Sequence, residues 1–73
     1  MVEKSNFSEF LIAKRAEMNL TRNELASLAG ITSVQIKNLE EAKCFPRSST
    51  LYAICKALKL DFEEVYNKFS LSA

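Results

Sequence analysis

Apolar residues recur along this 73-residue chain at helical spacing, in five separate stretches. Phe7, Leu11, Lys14 and Met18 share one face, with Phe10 beside them, which predicts a first helix from about Asn6 to Met18. Lys14 fits this stripe because its aliphatic stem can cover apolar surface while the ammonium stays wet. In the second stretch Leu25 and Leu28 are expected to point inward, and Ala26 and Ala29 are small enough to let a neighbouring helix approach. Ile36 and Leu39 form the inner edge of a third. Leu51, Ile54, Cys55 and Leu58 line a fourth over Ser48 to Leu58, and Phe62, Val65, Tyr66 and Phe69 line a fifth. The pattern predicts an all-α fold.

Polar punctuation divides these stretches. Thr21 followed by Glu24, and Thr32 followed by Gln35, are capping boxes, in which each side chain satisfies an amide at the start of a helix. Asp61 with Glu64 repeats the spacing before the fifth helix. Asn19-Leu20 makes the first turn, and Gly30 stands where a helix ends in left-handed backbone. The segment from Ala42 to Ser48 connects the third and fourth helices, with Pro46 just before the fourth. Two short helices, each with its own cap and separated by a tight glycine turn, make a helix-turn-helix. In the third helix Ser33, Val34, Lys37, Asn38 and Glu41 fall within an arc of about 140° opposite Ile36 and Leu39. That outer face is either an ordinary solvated surface or a contact surface, and the tight turn before it favours contact.

Seventy-three residues make one domain, with a core expected over residues 6–69. A chain this short buries only about 60% of its unfolded surface, so its core must be efficient. An apolar content of 48% with one Gly and one Pro fits compact helices and argues against disorder. The sequence has no apolar run long enough to span a membrane and no signal-peptide core at its start, so a cytoplasmic chain is expected. Two cysteines are too few for a disulfide framework. Cys55 falls on the fourth apolar stripe and reads as core. Cys44 lies in a connection, as an exposed thiol or a redox switch. The net charge is only +1. Asp61, Glu63 and Glu64 against Lys68 put −2 at the C-terminal end, so residues 1–60 carry +3.

Catalysis is not expected. The chain has no His, so neither a Ser-His arrangement nor an imidazole metal site can form. Two distant cysteines make no zinc site, and no glycine-rich loop is present to cradle phosphate. The acidic residues are accounted for by caps and helix surfaces. No cofactor is expected.

These residues resemble the Cro/CI-type, lambda-repressor-like helix-turn-helix proteins, the XRE family. The pattern comprises Leu20-Thr21, Glu24-Leu25-Ala26, Gly30-Ile31-Thr32, Ile36 and Leu39-Glu40, then Pro46, Leu51 and Ala57-Leu58, and the likeness spans Phe7 to Tyr66. It implies a compact five-helix lambda-repressor-like domain whose second and third helices form the helix-turn-helix. Arg15 and Glu40 occupy the places of a structural ion pair between the first helix and the end of the third. Ser33, Val34, Lys37 and Asn38 match positions that reach base edges in the major groove. Asn38 suits adenine, Lys37 guanine or a phosphate, Val34 a thymine methyl, and Ser33 either partner. Arg22 matches a phosphate-contacting position, and Lys43 and Arg47 would hold the same strand further along. Glu41 fits poorly unless it points aside or reads cytosine. Ala42 and Lys59 stand where the family often has glycine. Either these residues carry left-handed strain of about 1 kcal/mol or more, or the chain takes another path there and moves Lys43.

The expected function is therefore sequence-specific DNA binding by a transcriptional regulator, a repressor or autoregulator of the phage-repressor, controller or antitoxin kind. The alternative is a protein-interaction module that keeps the fold without binding DNA, which near-neutral charge and Glu41 would favour. Double-stranded DNA carrying an inverted repeat is the expected partner, with a protein such as a toxin as a further one. Phe62, Tyr66, Phe69 and Leu71 offer apolar surface for a homodimer. The other reading of Phe62 and Phe69 is that they close the core.

Overall fold

The computed structural model of this chain describes residues 4–69. They form five α-helices: α1 Lys4–Glu17, α2 Arg22–Ala29, α3 Ser33–Glu40, α4 Ser48–Ala57 and α5 Phe62–Phe69. No strand occurs among the described residues.

Every helix contributes to one core. Phe7 and Leu11 of α1, Leu25 of α2, Ile36 of α3, and Leu51, Ile54 and Cys55 of α4 are each at most 2% exposed. Leu58, Val65 and Phe69 complete the cluster. Phe69 closes it at the α1–α5 contact, with its ring edge-on to Phe7 at 5.4 Å and to Phe10 at 5.0 Å. Such ring pairs contribute about 0.5–1.5 kcal/mol beyond the area they bury. Lys14 packs as its long stem suggests, with its ammonium 5.6 Å from the centre of the Phe10 ring. Burial in apolar surroundings, with Asp61 adding to it, pushes the Cys55 thiol pKa up, so Cys55 is an inert core residue.

Two apolar residues expected inside lie outside. Leu28 is 62% exposed. The buried side of α2 runs through Leu25, Ala26 and Ala29, and at 100° per residue Leu28 sits about 100° from its centre. Met18 is 37% exposed because α1 ends at Glu17, and the stripe outruns the helix by one residue.

The connections are set by four residues with positive φ: Asn19 (55°), Gly30 (73°), Ala42 (61°) and Lys59 (60°). Each follows a helix, and the next amide reaches back five residues. Leu20 N–H donates to Arg15 O at 3.1 Å, Ile31 to Ala26 O at 3.0 Å, Lys43 to Asn38 O at 3.0 Å, and Leu60 to Cys55 O at 2.8 Å. This closure satisfies carbonyls that a helix end leaves open. In three of the four, the closing residue is apolar and packs on the core, namely Leu20, Ile31 and Leu60. Ala42 and Lys59 are thus left-handed without being glycine, and the connection after α3 keeps the glycine-like path.

The capping boxes follow the sequence with one difference. Thr21 Oγ1 accepts from Glu24 N–H at 3.1 Å while Thr21 N–H donates to Glu24 Oε1 at 2.8 Å. Thr32 and Gln35 do the same at 3.1 and 2.9 Å. At α5, Asp61 Oδ1 accepts from Glu63 N–H at 3.0 Å, one residue short of the expected capping box. Among the described residues no helix is long and apolar enough to cross a membrane.

Candidate nucleic-acid interface

Helix α3 is held from behind. Ile36 is 0% exposed and Leu39 3%, and both sit in the core against α1 and α2. Truncating either would cost about 2–5 kcal/mol, so the helix cannot roll without breaking the fold. Its capping box fixes the start, and the left-handed Ala42 with the Lys43–Asn38 backbone bond fixes the end.

The opposite side is open. Val34 is 61% exposed, Lys37 is exposed, and Ser33 and Asn38 are half-buried. A shallow cleft lies on each flank of this ridge. The first, between α2 and α3, brings together Arg22, Ser33, Val34 and Lys37, with Arg15 also lining it. The second, between α3 and the start of α4, holds Asn38, Cys44 and Arg47. Arg22, Ser33, Val34 and Lys37 therefore share one cleft, and Asn38 and Arg47 the other. Lys43 lines neither cleft. Its ammonium lies 3.2 Å from Glu41 Oε1, an exposed pair worth little energetically. That contact sets the Glu41 carboxylate beside the Lys43 ammonium. Arg47 is exposed at the N-cap position of α4 and makes no side-chain cap bond.

An arginine–glutamate–arginine cluster joins three helices, and both arginines line the first cleft. Arg15 Nε donates to Glu40 Oε2 at 2.6 Å and Arg15 Nη2 to Oε1 at 3.1 Å. Arg15 Nη1 also donates to the Leu20 carbonyl at 2.9 Å, which ties the end of α1 to the pair. Arg22 Nε donates to the same Glu40 Oε1 at 2.9 Å. The Glu40 side chain is 1% exposed, against 21% for Arg15 and 40% for Arg22. Burial alone would raise the Glu40 pKa. The hydrogen bonds from Arg15 and Arg22, with their charges, outweigh burial and hold the carboxyl below the usual carboxylate range. The Glu40 hydrogen bond raises the Arg15 pKa against the opposing effect of burial.

The Arg15–Glu40 pair is the one the sequence pattern implied. The part played by Arg22 is not legible there, because the two residues are 18 apart on different helices and no local spacing links them. A second residue missed in the sequence is Tyr52, 55% exposed on α4. Its ring lies 5.7 Å from Phe62, which in turn lies 5.5 Å from Tyr66. The only signal was an aromatic residue beside, and not on, the stripe of Leu51, Ile54, Cys55 and Leu58. Of the residues expected at a dimer interface, Phe62 and Tyr66 are half-buried in this group. Phe69 is 5% exposed in the core and so unavailable as contact surface, and Leu71 lies outside the described residues.

Comparison with known proteins agrees with this architecture. A family profile described as a helix-turn-helix domain matches residues 9–70. The HTH-type transcriptional repressor RghR of Bacillus subtilis (strain 168) is 34% identical over 64 residues, covering 86% of this chain and 47% of that protein. The chain thus spans about half the length of that repressor. Among solved structures, an HTH_3 family transcriptional regulator from Vibrio cholerae superposes with a TM-score of 0.79 at 23% identity, covering 89% of this chain and 36% of that one. The clp gene regulator ClgR from Corynebacterium glutamicum superposes with a TM-score of 0.76 at 23% identity, covering 94% of this chain and 90% of that one. These structural likenesses speak to the fold, and the profile match to the family: the chain belongs to the helix-turn-helix domain family, of the Cro/CI type that its sequence resembles.

Proposed function

We propose that this chain is the sequence-specific DNA-binding domain of a transcriptional regulator acting as a repressor, with α3 reading the major groove. The observation that carries this reading is the division of α3 into a clamped edge, Ile36 and Leu39, and an open edge of Ser33, Val34, Lys37 and Asn38. The open edge offers an amide for adenine, an ammonium for guanine or phosphate, a methyl pair for thymine and a hydroxyl. Arg22 at one cleft and Arg47 at the other would meet backbone phosphates, where contacts set register rather than sequence. Lys43 serves as an outer phosphate contact once DNA competes with Glu41 for its ammonium. The similarity to a repressor supports the regulatory role. A binding function, not catalysis, is the reading here: the chain carries no His, and Glu24, Glu40, Glu41 and Asp61 are engaged in caps and ion pairs. A cytoplasmic location follows from action on DNA.

One module with four base-contacting side chains binds weakly, so two half-sites about 34 Å apart are expected. Phe62 and Tyr66, joined by Tyr52, are the surface for a two-fold homodimer. The test is selection of bound sequences from random duplex DNA. Enrichment of an inverted repeat supports both function and symmetry. A pool that stays random after repeated selection contradicts the DNA-reading role.

A further inference from the structure

Glu40 is already neutralised by Arg15, which grips both of its carboxylate oxygens at 2.6 and 3.1 Å. The third contact, from Arg22 Nε at 2.9 Å, is surplus to that need. Arg22 is also the first residue of α2. A helix start carries partial positive charge and is an unfavourable place for a cation unless an anion is near. Glu40 supplies one anion, yet two guanidiniums around one carboxylate leave the cluster positive. Arg22 remains 40% exposed and lines the cleft with Lys37 and Ser33.

Resting on the DNA-reading role above, we infer that Glu40 is a positioning residue for DNA: its buried carboxylate holds Arg22 by one edge of the guanidinium at the cleft between α2 and α3, so that the remaining N–H donors take a backbone phosphate. The fork geometry of arginine makes this division possible, since Nε can bind one oxygen while the Nη groups serve another. A free arginine would lose rotamer freedom on meeting the phosphate, and one held by Glu40 has lost much of it beforehand. Glu40 itself is 1% exposed and meets no phosphate.

The experiment is a double-mutant cycle with Arg22→Ala, Glu40→Gln and the combined variant, read as affinity for a mixed-sequence duplex of about two helical turns across a salt series. Arg22→Ala should lower the salt slope by about one, so that wild type loses about 3-fold more affinity than the variant between about 50 and 200 mM salt. Glu40→Gln should show part of that loss in the wild-type background and none once Arg22 is gone. Equal losses in both backgrounds mean that Glu40 acts only through the fold and overturn the inference while leaving DNA binding intact. Wild type that binds no duplex overturns both. Because Glu40→Gln can unfold so small a domain, the arginine Nε–H signals of the unaltered chain give a second reading by NMR. Arg22 should be dispersed and slow to exchange like Arg15, and an Arg22 signal as fast as that of exposed Arg47 overturns the inference.

Discussion

Ala42 gives the most quantitative test of how the reading helix is held. Its φ of 61° is left-handed, a region that disfavours any residue with a Cβ by about 1–2 kcal/mol. Replacing Ala42 with Gly removes that strain, while the greater freedom of glycine in the unfolded chain returns about 0.5–1 kcal/mol. At the middle of both ranges the net expectation is a gain of about 0.75 kcal/mol. For a domain of this size each kcal/mol moves the thermal midpoint by about 4–8 °C, so Ala42→Gly should raise it by about 3–6 °C. Gly30→Ala is the mirror experiment. A Cβ there would meet nothing within 4 Å, so its cost in the folded state is backbone strain at φ 73°, set against the reduced freedom of the unfolded chain. Its midpoint should fall, by about 4 °C or more. Lys59→Gly relieves the same strain at φ 60° but removes a cation after α4, worth about 0.3–1 kcal/mol against the helix dipole, so its gain should be smaller. Thermal unfolding followed by far-ultraviolet circular dichroism measures all three. A midpoint for Ala42→Gly that is unchanged or lowered refutes the reasoning, because the turn after α3 would then not be left-handed in solution. The same variant should bind DNA as wild type does, since the path to Lys43 is unaltered.

Other outcomes follow from the same geometry. Lys37→Ala and Asn38→Ala should each lower affinity for a selected site by about 1–3 kcal/mol and relax its sequence preference, as read by competition binding. Thr32→Ala should destabilise the chain by about 1 kcal/mol in denaturant unfolding, since it opens the capping box at the start of the reading helix. The Glu40 carboxyl is held below its unfolded value of about 4.3, so its contribution to stability is complete above that pH and fades as pH falls through the lower folded value. A profile of thermal midpoint against pH should therefore be flatter in that acid window for Glu40→Gln than for wild type. Tyr52→Ser combined with Tyr66→Ser should shift a homodimer toward monomer in sedimentation at micromolar concentration, and a wild-type chain that is monomeric there removes the proposed interface.

Much of this was legible in the sequence because short helices declare themselves locally. Thr21 with Glu24, Thr32 with Gln35, and Gly30 with Ala26 each act across no more than four residues, and the structure realises all of them. The Arg15–Glu40 pair came from the family pattern, whereas the second arginine on Glu40 depends on how α2 meets α3 in space. Leu28 shows where periodicity misleads. A two-turn helix with alanines on its buried side leaves the larger leucine free to face solvent, and spacing alone cannot say which edge of the stripe wins. Phe69 shows the converse, an aromatic near the chain end that the core absorbs against Phe7 and Phe10.

The central claim is that the open edge of α3 enters a DNA groove while its other edge stays in the core. The most direct measurement is an NMR titration of the labelled chain with a selected duplex. The amides and side chains of Ser33, Val34, Lys37 and Asn38 should shift most, Arg22 and Arg47 next, with Ile36 and Leu39 remaining protected from exchange. Shifts confined to Tyr52, Phe62 and Tyr66, or no shifts at all at saturating duplex, would contradict it.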